Sequence, residues 1–181
     1  DLRQLRSDEP AVGSGMMYAL TERTQRPFAT YRSEAQKVAV DTSLFAPPGS
    51  TTLITLPTGG GKSMCIILPA WMESRGGRRK GGTTLVVVPT IALALDQQRN
   101  VDSHFSGALD DEFRPHSLTS ATPLDERGAI RRGIRRGTLP LLYTSPESLL
   151  NSELYEVCLD TARDGYINRL IIDESHLVET W

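Results

Sequence analysis

A glycine-rich segment with one lysine and one serine, residues 56–63 (LPTGGGKS), is the feature that most constrains this chain. It follows an apolar, β-branched run at residues 51–56 and precedes a helix-like pattern at 62–73. Successive glycines let backbone N–H groups converge on phosphate oxygens without obstruction by Cβ atoms, and the amino end of a helix adds partial positive charge. A strand, a glycine turn and a helix in this order therefore predict a phosphate-binding loop.

The side chains of this loop have separate predicted roles. Lys62 is expected to reach the β and γ phosphates of a nucleotide as a mobile cation, and the Ser63 hydroxyl to coordinate Mg²⁺. The strict form of the pattern has glycine where this chain has Leu56. The predicted phosphate contacts of the loop are Thr58, Gly59, Gly60, Gly61, Lys62 and Ser63.

Short apolar runs alternate with longer helix-like segments along the whole chain. Buried strands are predicted at 51–56, 84–88, 139–144 and 170–172, with a weaker one at 113–118, and helices at 33–45, 62–73, 91–105, 124–136 and 147–163. Apolar strands separated by helices require a parallel sheet covered on both faces. The predicted class is therefore α/β, a mostly parallel sheet with helices on both faces and with its ligand beyond the carboxyl ends of the strands.

A second candidate site follows the last predicted strand. The run at 170–172 leads into Asp173, Glu174, Ser175 and His176 (DESH). Two adjacent carboxylates can have different roles. Asp173 can hold Mg²⁺, and Glu174 can orient and deprotonate the water that attacks the γ phosphate. The sequence therefore predicts a metal-assisted hydrolytic site that shares one magnesium triphosphate with the glycine turn.

These motifs together resemble the RecQ-like branch of the superfamily 2 DNA helicases, the DExH ATPases whose motors are two tandem RecA-like domains. Residues 56–65 (LPTGGGKSMC) resemble the first motif of that family, including an apolar residue at position 56. Three further segments are similar to later motifs in order and spacing: 88–97 (VPTIALALDQ), 142–149 (LYTSPESL) and 173–181 (DESHLVETW). The resemblance covers about residues 28–181 and implies a RecA-like P-loop domain, with 1–27 as an amino-terminal extension of uncertain role.

The resemblance also implies how ATP and its adenine are recognised. The family uses an aromatic residue, an arginine and a glutamine, for which Phe28, Arg32 and Gln36 are the candidates here. The interval from Arg32 to Gln36 is one residue longer than the family pattern, so Tyr31 or Gln25 could serve instead. DESH replaces DEAH, a change between small residues that leaves the predicted roles of Asp173, Glu174 and His176 intact.

Nucleic-acid contacts are implied for two loops and for the last residue. In this family the second and third of these motif segments hold the sugar-phosphate backbone, which makes Thr90, Thr144 and Ser145 candidate phosphate contacts; the alternative is that these residues only end strands and begin helices. Trp181 stands where the family begins an aromatic-rich loop that couples DNA binding to hydrolysis. A basic helical stripe at Arg127, Arg131 and Arg135 fits a nucleic-acid backbone or a solvated helix face equally well.

Composition limits the remaining possibilities. The chain has 181 residues, a formal net charge of −2 and two cysteines, and none of its apolar runs approaches the length of about 20 residues that a membrane span needs. One main domain without a zinc site, in the reducing cytoplasm, is expected.

The function expected from sequence is an ATP-dependent helicase or translocase motor that acts on DNA, with a second RecA-like domain beyond Trp181 to complete the ATP cleft. Three alternatives remain open: a nucleotide-gated nucleic-acid-binding module without turnover, an RNA-directed DExH ATPase, and a component of a defence or DNA-modification system.

Overall fold

The computed structural model describes residues 11–12, 30–74, 81–105, 113–150 and 152–180. Its contacts divide the chain into two compact units, one formed by 1–69 with 107–109 and the other by 70–106 with 110–181. The predicted loop 56–63 belongs to the first unit, and the DESH segment belongs to the second.

The first unit contains a short antiparallel ribbon followed by a helix. Strands β1 (Ala11–Val12) and β2 (Thr30–Tyr31) pair with Ala11 opposite Tyr31. Helix α1 spans Glu34–Phe45, and the Ser33 hydroxyl caps its amino end by accepting a hydrogen bond from the Gln36 N–H at 3.1 Å. Such a cap satisfies one of the amide groups that the first helical turn leaves without a carbonyl partner.

Helix α2 (Met64–Ser74) follows the glycine turn and contains a proline in its interior. Pro69 has no N–H, so it cannot donate the usual helical hydrogen bond to the Cys65 carbonyl. The Ser43 hydroxyl of α1 donates to this carbonyl instead, at 2.8 Å in a buried position. One side-chain hydrogen bond thus makes the proline tolerable and ties α1 to the helix that follows the loop.

This arrangement predicts that Ser43→Ala destabilises the protein by about 1–3 kcal/mol, because the buried Cys65 carbonyl would lose its hydrogen bond. Urea unfolding measures the change. Ser50→Ala is the matched control, since the Ser50 hydroxyl makes the same kind of bond to the Pro47 carbonyl at 2.6 Å but in an exposed position. Equal losses of stability in the two variants would contradict the role given to Ser43.

A four-stranded parallel sheet forms the centre of the second unit. Its strands are β3 (Thr83–Val87), β4 (Pro115–Leu118), β5 (Leu141–Thr144) and β6 (Ile167–Ile172), in the order β4-β5-β3-β6. Every residue of β3 and β5 is buried, as expected for inner strands of a sheet that is covered on both faces. All pairs are parallel, so the carboxyl ends of the four strands lie at one edge.

Helices cover both faces of this sheet. Helices α3 (Ile91–Phe105), α4 (Leu124–Arg135), α5 (Pro146–Leu149) and α6 (Ser152–Arg163) connect the strands. The core between the sheet and α4 and α6 includes Leu142, Ile134 and Leu154. On the opposite face the Ser117 hydroxyl of β4 donates to the side-chain oxygen of Gln98 in α3, at 2.6 Å. The predicted α/β class with a parallel sheet between helices is confirmed.

Two predicted elements are wrong. Residues 51–56 do not form a strand, since no described strand pairs with them, and Leu53 is 81% exposed. β-branched residues favour strands because they pack well against neighbouring strands. Their presence does not by itself fix an extended strand conformation. The helix predicted over 147–163 is two helices, α5 and α6. The break falls between Leu149 and Ser152, and the short polar side chain of serine favours helix starts over helix interiors.

Candidate nucleotide-binding site

The glycine segment forms a tight turn directly before helix α2. The Gly60 N–H donates to the Pro57 carbonyl at 2.9 Å, and the Met64 N–H donates to the Gly61 carbonyl at 3.1 Å, where the helix begins. Gly59 and Gly61 have φ angles of 77° and 80°, a left-handed conformation that favours glycine. The glycines are therefore required by the backbone path of the turn, as the loop prediction implies.

Two side chains donate hydrogen bonds to carbonyl groups of this turn, one from just before α1 and one from its first turn. The Arg32 guanidinium donates to the Gly59 carbonyl at 2.6 Å, and the Gln36 side-chain amide donates to the Gly61 carbonyl at 3.0 Å. The Gln36 side-chain oxygen also accepts from the Arg32 backbone N–H at 2.7 Å. Gln36 is only 3% exposed, so it is a buried connection between α1 and the turn and not an ordinary helix-surface residue.

The structure describes some of the predicted adenine contacts and not others. Arg32 is exposed and Gln36 is fixed beside the turn, so both stand close to any phosphate held there, and base recognition by them stays a prediction. Tyr31 is fully buried, which leaves its ring no open face for a base. Phe28 and Gln25 lie outside the described residues.

Gly61→Ala is expected to destabilise the protein and to prevent nucleotide binding. A Cβ at this position would lie 2.1 Å from the side-chain nitrogen of Gln36, in addition to the cost of about 1–2 kcal/mol for a left-handed non-glycine residue. Gly49→Ala is a matched control, because Gly49 has a φ of 76° but no atom within 4 Å of the added Cβ. Similar unfolding free energies and nucleotide affinities in the two variants would contradict the Gln36 contact.

The remaining polar side chains of the loop differ in exposure. Thr58 and Ser63 are exposed and Lys62 is half-buried. A hydroxyl is a suitable hard-oxygen ligand for Mg²⁺, and a lysine ammonium supplies a compact positive charge for phosphate. The loop thus presents one cation and two hydroxyls beside a helix amino end.

The acidic segment continues from the end of strand β6. The Asp173 N–H donates to the Val87 carbonyl at 2.9 Å, which extends the pairing of β6 with β3 by one residue. Glu174 then has a φ of 51°, the one non-glycine residue with positive φ in the described part of the chain. Its N–H donates to the Asp173 carboxylate at 3.0 Å. The turn thereby directs the two adjacent acidic side chains differently.

His176 lies next to Glu174 in the 3-10 helix Ser175–Thr180. Its Nδ1 is 3.4 Å from a carboxylate oxygen of Glu174, and its side chain is 68% exposed. A left-handed non-glycine residue costs free energy and is often found at functional sites. Asp173, Glu174 and His176 thus lie in one local turn that the sequence pattern alone does not specify, and their catalytic roles stay predictions.

The donor set around Asp173 fits magnesium bound together with phosphate. Among the described residues no group of three or more His, Cys, Asp and Glu side chains could hold a metal by itself. Mg²⁺ usually keeps several waters and binds proteins through one or two carboxylates plus substrate phosphates. Asp173 can supply such a carboxylate.

The candidate nucleic-acid contacts differ in their exposure. Thr90 is exposed, and its hydroxyl caps helix α3 by accepting from the Leu93 N–H at 3.2 Å. Thr144 and Ser145 are fully buried. The Thr144 hydroxyl donates to the Leu118 carbonyl at 2.7 Å, and the Ser145 hydroxyl caps α5 by accepting from the Ser148 N–H at 3.3 Å. These two hydroxyls serve the fold, and phosphate contact through them stays a prediction, as does the role of Trp181, which lies outside the described residues.

The basic stripe of α4 is also occupied by contacts within the second unit. The Arg127 guanidinium donates to the Thr122 and Ser120 carbonyls, each at 2.8 Å. Arg131 forms an ion pair with Glu153 of α6. Two of the three stripe residues therefore hold neighbouring segments, which favours the structural interpretation over a continuous nucleic-acid track.

A glycine turn that leads into a helix, with a DESH segment at the end of a parallel strand, defines the class of P-loop domains found in helicase motors. The chain belongs to the DEAD/DEAH box helicase family, whose match extends over residues 33–181. None of the helices in the described ranges has the length and apolar character of a membrane-spanning helix.

The curated relatives that this chain matches include RecQ-like DNA helicases. The chain is 32% identical over 133 residues to ATP-dependent DNA helicase Q-like 5 of Arabidopsis thaliana and 31% identical over 134 residues to ATP-dependent helicase SGS1 of Saccharomyces cerevisiae. It is 28% identical over 148 residues to ATP-dependent DNA helicase RecQ of Pasteurella multocida. These matches cover 74%, 74% and 82% of this chain but only 13%, 9% and 20% of the respective relatives.

Solved helicase structures share the fold. The DUF1998 helicase MrfA bound to DNA and AMPPNP matches 94% of this chain and 23% of its own, with a TM-score of 0.73 and 18% identity. The DEAD-box helicase Mss116 bound to ssRNA and UDP-BeF matches 90% of this chain and 38% of its own, with a TM-score of 0.54 and 14% identity. The predicted RecA-like α/β fold agrees with both.

Proposed function

We propose that this chain is the ATP-binding half of a helicase or translocase motor that couples ATP hydrolysis to movement on DNA. The observation that carries the proposal is the glycine turn at Gly59–Gly61, which lies at the amino end of a helix. Arg32 and Gln36 donate hydrogen bonds to its carbonyl groups. Such a turn presents backbone N–H groups and the positive end of the helix dipole to phosphate. Membership of the DEAD/DEAH box helicase family supports the coupling to nucleic acid.

Each polar group has a distinct task in this proposal. Lys62 binds the β and γ phosphates, while Ser63 and Asp173 would hold Mg²⁺, which would neutralise charge on the phosphates. Glu174 accepts a proton from the attacking water, and the neighbouring His176 orients the Glu174 carboxylate. The 3.4 Å approach of His176 to Glu174 supports this pairing.

DNA is the proposed track. The names of the curated relatives describe DNA helicases, and the exposed Thr90 offers a hydroxyl and a helix amino end to a backbone phosphate. We propose that Thr144, Ser145 and Trp181 add to this surface through their loops. Contacts to phosphate position the protein without reading sequence, which suits a motor that moves along any strand.

The motor is proposed to need a second RecA-like domain beyond Trp181, which would complete the ATP cleft. The much greater length of the relatives supports this part of the proposal. The cytoplasm is the proposed compartment, in agreement with the unpaired thiols of Cys65 and Cys158, whose pKa values burial raises to about 11.

Phosphate release by the full-length protein that contains this chain tests the proposal. We expect ATP hydrolysis that single-stranded DNA stimulates more strongly than duplex DNA or RNA at equal nucleotide concentration. Stimulation by RNA alone would make the protein an RNA-directed DExH ATPase. ATP binding without hydrolysis under all three conditions would instead favour a nucleotide-gated binding module.

A further inference from the structure

Tyr143, in strand β5, carries a buried hydroxyl whose role the proposed function does not explain. The residue is 1% exposed, and its hydroxyl oxygen has no hydrogen-bond partner among the described residues. Buried hydroxyls are nearly always paired with protein groups or ordered water, because an unpaired one loses its hydration without compensation. The hydroxyl is therefore expected to have a hydrogen-bond partner in the functional protein.

The register of the sheet places one acidic residue on the same face as Tyr143. Tyr143 pairs with Val86 in β3, and Val86 pairs with Ile171 in β6, so these three side chains share one face. Because side chains alternate along a strand, Asp173 lies on the same face as Ile171, one step nearer the carboxyl edge. The hydrogen bond from the Asp173 N–H to the Val87 carbonyl keeps Asp173 in this extended register.

Electrostatics agrees with this placement. Burial raises the pKa of Tyr143 well above its ordinary value, and the negative charge of Asp173 raises it further. A tyrosine hydroxyl can act as a hydrogen-bond donor. An aspartate carboxylate accepts more than one hydrogen bond, and that of Asp173 already accepts one from the Glu174 N–H.

We propose that Tyr143 is a positioning residue of the acidic site, whose hydroxyl donates through an ordered water to the Asp173 carboxylate and fixes its orientation for Mg²⁺. Since the Asp173 carboxylate also accepts the Glu174 N–H, the same contact steadies the left-handed turn that directs Glu174. This inference rests on the proposed function, because it assigns Tyr143 to the magnesium site of that function.

The test compares Tyr143→Phe with the wild type and with Tyr155→Phe, a control at a tyrosine that is 43% exposed on α6. Mg²⁺ is titrated at a fixed concentration of AMPPNP, and the melting temperature reports the metal concentration at half-saturation. We expect this concentration to rise about 10-fold in Tyr143→Phe only, as when an outer-shell partner of a metal ligand is lost. Without ligand, the melting temperature of Tyr143→Phe should stay close to that of the wild type, because the hydroxyl donates to an ordered water and no direct hydrogen bond to protein is removed.

Three results would overturn the inference, and they are distinguishable. Equal Mg²⁺ dependence in wild type and Tyr143→Phe removes the positioning role and leaves the proposed function intact. A lower melting temperature without ligand, at unchanged Mg²⁺ dependence, makes the hydroxyl structural. Failure of the wild type to bind AMPPNP with Mg²⁺ overturns the proposed function and the role of Tyr143 with it.

Discussion

Glu174→Gln is expected to reduce ATP hydrolysis about 10²- to 10⁴-fold while leaving nucleotide binding within a few-fold of the wild type. Glutamine keeps the size and hydrogen-bonding reach of the side chain but cannot accept the proton of the attacking water. The residue occupies a left-handed turn with φ of 51°, held by its N–H on Asp173, and glutamine can occupy the same turn. Stimulated phosphate release by the full-length protein and binding of AMPPNP measure the two effects separately.

Glu156→Gln is the control for this substitution, since Glu156 is exposed on α6 and lies outside the candidate site. Its hydrolysis rate should match that of the wild type. If Glu174→Gln hydrolyses ATP as fast as Glu156→Gln does, Glu174 is not the general base and the motor mechanism has to be revised.

Lys62→Ala is expected to remove at least about half of the thermal stabilisation that ATP gives the wild type. A ligand that binds only the folded state stabilises it by about 2.7 kcal/mol at 100 times its Kd. Loss of a charged hydrogen bond to phosphate, worth about 1.5–3 kcal/mol, weakens binding about 10- to 100-fold and leaves about 1.4 to 0.4 kcal/mol of this gain. Melting curves with and without ATP and Mg²⁺ measure the difference.

Lys37→Ala provides the matched control. Lys37 forms a surface ion pair with Glu34 at 3.9 Å in α1, and such pairs contribute little to stability. The shift produced by ATP should be the same in Lys37→Ala and in the wild type. An undiminished shift in Lys62→Ala would mean that the nucleotide does not depend on this loop.

Helices were predictable because their signals are local. The hydroxyl cap at Ser33 marks the start of α1, and the apolar periodicity over 91–105 predicts α3 with its observed bounds. The three consecutive glycines likewise specify a turn, since left-handed φ angles at Gly59 and Gly61 are a local backbone requirement. Local chemistry of this kind can be interpreted without knowledge of distant neighbours.

Features that depend on distant partners were not predictable. Residues 51–56 have the composition of a strand but no described strand beside them, and strand formation requires such a neighbour. Gln36 has the sequence context of a helix-surface residue, yet its amide holds a carbonyl 25 positions away. The buried hydroxyls of Thr144 and Tyr143 depend equally on contacts across the sheet, which no single segment reveals.

The acidic site has one feature that the sequence predicts and one that it does not. The order of an apolar strand and DESH predicts that Asp173 and Glu174 stand at the carboxyl edge of the sheet, and the structure places them there. The positive φ of Glu174 carries no such signal, since glutamate has no preference for left-handed backbone. The turn is imposed by its surroundings.

We propose that the glycine loop and the acidic pair bind one magnesium nucleotide. A double-mutant cycle between Ser63→Ala and Asp173→Asn, measured as AMPPNP affinity at saturating and at limiting Mg²⁺, tests it most directly. If both residues hold the same metal, either substitution alone removes most of the Mg²⁺ dependence. The double variant should then lose less than the sum of the single losses, with a coupling of about 1 kcal/mol or more. Additive losses within about 0.5 kcal/mol would show two independent sites and would contradict the account.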